Sequence, residues 1–188
     1  MKVSVIENTP QVVRFKVEGI TETFANAVRR IGLGRIRCFA IESVTFYENS
    51  SAMFDEYIAH RLGLIPITTP KRRAGDEVLF SLEAEGPRIV YSKELKSSED
   101  DVKAANSNIP IIKLAGGQRL RIEAKAVTGM GSESSKFQPG IITYKSTDDN
   151  KGFEFYVEAF GNMNAIDMVN RLFGVMNEGV KEAAKELA

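Results

Sequence analysis

Hydrophobic and polar residues alternate at the start of the chain. Val3 and Val5, then Val13, Phe15 and Val17, alternate with mostly polar residues, which predicts two strands joined at Asn8-Thr9-Pro10. The period then lengthens. Phe24, Val28 and Ile31 share a face at helical spacing, so a helix begins near Glu22 behind a capping Thr21 or Thr23. Arg29, Arg30, Arg35 and Arg37 point in other directions, and Gly32 and Gly34 leave the end of the helix open. Alternation returns over Ile41 to Tyr47, a strand. A second short helix is expected after Ser50-Ser51, with Asp55 and Glu56 at its positive end, stopping near Gly63 before Pro66.

The middle of the chain turns to strands. Val78 to Ala84 alternates, and Ile109 to Leu114 and Arg119 to Val127 read as a half-buried antiparallel hairpin across Gly116-Gly117. Lys96 to Asn108, Gly129 to Gly140 and Lys145 to Gly152 read as loops, the last as a domain junction. Ile141 to Tyr144 and Phe153 to Ala159 read as strands. Asn162 or Asn164 then caps a helix running almost to Ala188.

That last helix carries more apolar surface than one core requires. At 100° per residue, Ile166, Val169, Phe173, Met176, Val180, Ala184 and Leu187 form one stripe. Met168, Leu172, Val175, Gly179 and Ala183 form a second beside it. Together they cover an arc of about 180°, against the ~100° that a surface helix needs to cover its own core. One stripe is expected to pack on the chain's own sheet and the other on a partner. Gly179, costly in a helix interior, would permit close helix approach.

Composition narrows the function. The 188 residues are 43% hydrophobic and 27% charged, ordinary for a globular protein. Lys plus Arg and Asp plus Glu both number 25, so the basic surplus expected of a protein that grips nucleic-acid phosphates is missing. A single cysteine, Cys38, excludes an intrachain disulfide or a thiolate cluster and fits a reducing compartment. The N-terminus lacks a signal-peptide core, and no apolar run approaches the roughly 20 residues needed to span a bilayer. A soluble, cytoplasmic protein is expected, with no membrane partner.

Candidate chemistry is sparse. His60 lies near Asp55 and Glu56, but a lone histidine lacks the spacing of a zinc-protease helix, and a catalytic zinc needs about three protein ligands. A structural role is favoured for it. The stretch from Gly129 to Lys136 superficially resembles a phosphate-binding loop, yet it leads towards a strand and does not open a helix. A β–β connection that docks a neighbour is favoured. The runs Lys71-Arg72-Arg73 and Glu99-Asp100-Asp101 read as solvated loops. No carboxylate cluster suits a pair of Mg²⁺ ions. The competing expectation is a small-molecule enzyme built on the Gly129–Lys136 loop or the Asp55–His60 helix.

Three stretches carry a resemblance that spans the chain. Phe24-Ala25-Asn26-Ala27-Val28-Arg29-Arg30 resembles the F-x-N-A-L/V-R-R helix of the alpha-type subunits of cellular RNA polymerases. The run from Asp55-Glu56 through Ala59-His60-Arg61-Leu62-Gly63-Leu64-Ile65-Pro66 is similar to that of the archaeal D-type and eukaryotic third-largest members of this family. Gly129-Met130-Gly131, followed by Lys136-Phe137-Gln138-Pro139, is similar to a third motif of the same family. The resemblance implies an α+β, RNA polymerase alpha-like fold: a discontinuous dimerisation module of antiparallel strands plus two helices, formed by residues 1–40 and 152–188. A mostly β domain over 41–151 would be inserted into it.

The resemblance also implies a function without an active site of its own. The chain would pair with subunit L, through Ile31, Met168, Leu172, Phe173, Val175, Met176, Gly179 and Val180. It would recruit the second-largest subunit, with Arg29, Arg30, Lys136 and Phe137 meeting a large subunit, and the small zinc-binding subunits N and P would dock on the same platform. Many relatives carry a cysteine-rich, ferredoxin-like domain after the stretch matching Ile141 to Lys145. Here Ser146-Thr147-Asp148-Asp149-Asn150 leads almost directly to the last strand, and the Thr68–Glu77 loop has no cysteine. An Fe–S cluster takes about four cysteine ligands, so a version with no cluster and no zinc is expected.

Overall fold

The computed structural model describes residues 1–71, 77–147 and 151–187. Arg72 and Arg73 of the basic run, Asp148-Asp149-Asn150 of the expected junction and Ala188 lie outside the described residues. The chain begins with β1 (Lys2–Asn8), β2 (Val12–Glu18), α1 (Glu22–Gly34), β3 (Arg37–Asn49) and α2 (Asp55–Gly63). The β-rich middle holds β4 (Glu77–Glu85), β5 (Arg88–Tyr91), β6 (Lys96–Ser97), β7 (Pro110–Leu114) and β8 (Arg119–Met130). The end is β9 (Gly140–Ser146), β10 (Gly152–Ala159) and α3 (Ala165–Glu186). These elements form two compact units, one from Met1–Arg37 with Met130–Ala188 and one from Cys38–Gly129.

In the first unit the two chain ends share one antiparallel sheet in the order β1-β2-β10-β9. Its register puts Phe155 opposite both Phe15 and Tyr144, and Val157 opposite both Val13 and Ile142. Because side chains alternate across a strand, these residues share one face. Phe15 and Phe155 stack with centroids 5.0 Å apart, and Val13, Val17, Ile142 and Val157 are buried around them. Both long helices lie on this face: α1 packs on α3 and β9, and α3 on β10 and β2.

The start of α1 follows the expected cap, the Thr21 hydroxyl accepting the Phe24 N–H at 3.2 Å. Gly32 lies close against β9 and α3. A Cβ there would lie 2.1 Å from Ile142 Cδ1 and 2.6 Å from Leu172 Cδ1.

The second unit is built on the sheet β3-β8-β4-β6 with the separate pair β5-β7. β4 alternates buried and exposed residues along its length, and Phe80, Leu82 and Val78 face Ala124, Ile122 and Ala126 of β8. Ile58 and Leu62 of α2 are buried in the same core as Phe39, Ile41, Val90, Ile111 and Leu114. Arg61 fixes α2 to β7, donating to the carbonyls of Ile111 at 2.9 Å and Pro110 at 2.6 Å.

Some sequence expectations change. The segments before and after Gly116-Gly117 do not pair as a hairpin: β7 pairs with β5, and β8 lies between β3 and β4. With both edges of β8 occupied, β7 has no backbone groups there to bond. β5 has no counterpart in the sequence expectations, and the loop from Lys96 contains the short β6. Lys145 and Ser146 pair with Glu154 and Phe153, so the Lys145–Gly152 stretch begins inside the β9–β10 pair of the first unit. The two compact units divide at 37/38 and 129/130, whereas the sequence expectation sets the inserted domain at 41–151. α2 starts after Phe54, whose side chain makes no cap, while Asn49 reaches Asp55 at 2.7 Å.

Candidate partner-binding surfaces

α3 divides along its length, not between its two stripes. Ala165, Met168, Val169 and Leu172 are buried, drawing residues from both stripes onto the sheet. Val175 and Met176 are half-buried, and from Asn177 to Leu187 every residue is exposed. Phe173 is 39%, Val180 69% and Leu187 89% exposed. The reason is reach. Only the first part of α3 lies over the sheet and α1, so beyond Met176 the same apolar pattern has no surface beneath it among the described residues.

The eight residues expected on the pairing surface therefore separate. Met168 and Leu172 belong to the unit's own core and present no side-chain surface. Phe173, Gly179 and Val180 are exposed, and Ile31, Val175 and Met176 are half-buried. Gly179 and Gly174 both face open space where a Cβ would stand, so packing within the chain requires neither glycine. Gly174 lies outside the residues expected from the sequence, although its place in the helix interior is a usable signal.

The basic candidates differ too. Arg29 is half-buried and donates through Nε and Nη2 to Asn26 Oδ1, at 3.3 and 2.9 Å. Asn26 thus orients that guanidinium, whereas Arg30 next to it is exposed. Phe137 is 5% exposed, so its side chain presents little surface to a neighbour. Lys136 is half-buried with its ammonium 5.3 Å from the Phe137 ring centroid.

The loop beginning at Gly129 is not an open anion cradle. Ser132 N–H donates to the Gly34 carbonyl at 3.0 Å, and Met130 N–H to the Glu133 carboxylate at 2.9 Å. Glu133 and Ser134 N–H both donate to the Met130 carbonyl. A phosphate would find these donors already engaged. Gly131 serves a packing need instead: a Cβ there would lie 2.2 Å from the Leu33 carbonyl oxygen. His60 is exposed on α2, and no three of His, Cys, Asp and Glu gather as a metal-holding group among the described residues.

A groove of about 440 Å³ lies in the first unit between the end of α1 and the middle of α3. Arg35, Ile36, Arg37, Arg171, Gly174, Val175 and Glu178 line it. On the sheet, the Glu154 carboxyl is held below its ordinary pKa chiefly by the hydrogen bond from Arg14, with Lys145 adding to the effect at 3.3 Å. The same pairing raises Arg14, and Tyr156 is raised chiefly by its hydrogen bond to Glu158 at 2.8 Å.

A family profile described as the RNA polymerase Rpb3/RpoA insert domain matches residues 43–147. The DNA-directed RNA polymerase subunit Rpo3 of Thermococcus kodakarensis is 50% identical over 149 residues, covering 75% of this chain and 58% of that protein. The Pyrococcus furiosus Rpo3 is 49% identical over 153 residues, 77% of this chain and 59% of its own length. The Methanocaldococcus jannaschii Rpo3 is 43% identical over 165 residues, with 88% and 85% covered. The chain thus spans under three fifths of the length of the Thermococcus and Pyrococcus relatives it matches.

Proposed function

Because the chain belongs to the DNA-directed RNA polymerase subunit Rpo3 family, we propose that it is a non-catalytic subunit of such a polymerase and a platform for its assembly. In this reading it pairs with the small subunit L, and the pair then recruits the second-largest subunit. The observation that carries the reading is the exposed half of α3. An apolar face that includes Phe173 and Val180, uncovered among the described residues, is the form a subunit takes before its partner arrives.

Ile31, Phe173, Val175, Met176, Gly179 and Val180 form the pairing surface in this account. Arg29, Arg30 and Lys136 remain for a large subunit. A guanidinium preset by a neighbouring amide, as Asn26 presets Arg29, loses less freedom when it pairs with a carboxylate. The small zinc-binding subunits N and P complete the platform, which sits in the cytoplasm and contacts no membrane and no nucleic acid as a primary ligand. The chain itself uses no cofactor, since Cys38 alone cannot ligate a cluster.

The test is an affinity pull-down of the tagged chain from its source cells. Recovery of subunit L with the large catalytic polymerase chains is the expected result. Recovery of the chain without any of them would overturn the platform reading.

A further inference from the structure

The groove between α1 and α3 is lined by three arginines and one carboxylate. Arg35 caps the end of α1, its N–H bonded to the Ile31 carbonyl at 2.8 Å, and Arg37 opens β3. Both side chains are exposed, and neither takes part in an ion pair among the described residues. Arg171 and Glu178 face them from α3, leaving the groove a surplus of two positive charges. Its other walls are apolar, from Ile36 and Val175. Gly174 adds an independent feature. It is an interior helix glycine with open space where a Cβ would stand, so no packing among the described residues requires it, although glycine costs a helix up to about 1 kcal/mol relative to alanine.

We infer that this groove receives a carboxylate-bearing segment of the subunit that pairs along α3, its acidic side chains on Arg35 and Arg37 and its backbone close against Gly174. The inference rests on the platform reading above. Two observations favour a protein segment as occupant. The groove includes Gly174, Val175 and Glu178, which run directly into the exposed stretch of α3, so one partner can cover both. Its apolar walls suit a folded segment better than a phosphate backbone, and the chain carries no net basic charge to support a nucleic-acid tract. Guanidinium groups grip carboxylates through paired, parallel hydrogen bonds, which gives the contact direction as well as charge.

The test uses the full chain carrying Arg35→Glu and Arg37→Glu together, with wild type beside it, titrated with subunit L at several salt concentrations. Circular dichroism and a thermal melt verify the fold. At low salt the double variant is expected to bind roughly tenfold more weakly, with the gap narrowing as salt rises. The milder pair Arg35→Gln and Arg37→Gln should fall between. If wild type and both variants bind equally and with the same salt dependence, the groove is not the acidic site. If wild type fails to bind subunit L at all, the platform reading falls first and this inference falls with it. Single-stranded RNA bound by wild type and lost in the double variant would likewise overturn a protein occupant.

Discussion

The two halves of α3 carry one amphipathic pattern and meet different surroundings. From Ala165 to Leu172 the apolar residues close the core of the first unit against the sheet and α1. From Asn177 onward, Val180 and Leu187 hold the same helical phase in solvent. The first half is thus tied to the stability of the chain, and the second, in the proposed platform, to the partner it would meet. Amphipathicity reports that a face is apolar; only the length of the supporting sheet decides which part of it the chain covers itself.

The two halves should separate in mutants, most widely in stability. Leu172→Ala should cost roughly 2–5 kcal/mol in chemical denaturation, because it opens a cavity where Leu172 meets α1. Val180→Glu should leave the isolated chain within about 0.5 kcal/mol of wild type. Its effect should appear in pairing with subunit L, weakened at least about tenfold, or roughly 1.4 kcal/mol. Phe173→Glu and Val175→Glu, nearer the border, should fold and pair poorly. If Leu172→Ala and Val180→Glu destabilise the isolated chain equally, the division of the helix is wrong.

A smaller effect of opposite sign is expected at Gly174. With open space at its Cβ, Gly174→Ala should stabilise the isolated chain by up to about 1 kcal/mol while weakening its pairing. Denaturation and a binding titration on the same sample would show the two signs.

Acid should weaken the sheet of the first unit at Glu154. The Glu154 pKa is lowered in the folded chain, so its contribution is fully present above the ordinary glutamate range and fades as pH falls through the folded value. Melting curves of wild type and Glu154→Gln should therefore differ most near neutrality and converge on acidification. A gap that widens in acid would reverse the sign of that account.

Much of this is legible in the sequence, and the misses share a cause. The period-2 runs around Phe15 and Phe155 give both the strands and their inward faces, and Thr21 marks the start of α1. The pairing of β5 with β7 stays hidden because alternation reveals a strand's face and not its neighbour. Phe137 looks available within a loop motif, yet it is buried, since a loop's polarity says little about one aromatic anchor in it. The arginines of α1 are legible as interface candidates, but the groove at Arg35 and Arg37 needs α3 in place beside them. Residues some 135 positions apart meet only through the fold, as the distance from Arg35 to Arg171 shows in the sequence.

Hydrogen exchange, with and without subunit L, tests the central claim most directly. In the isolated chain the amides of residues 168–172 should exchange slowly, and those of 177–187 much faster. On adding subunit L, residues 177–187 should gain strong protection while 168–172 change little. Complex formation with no added protection across 177–187 would contradict the account.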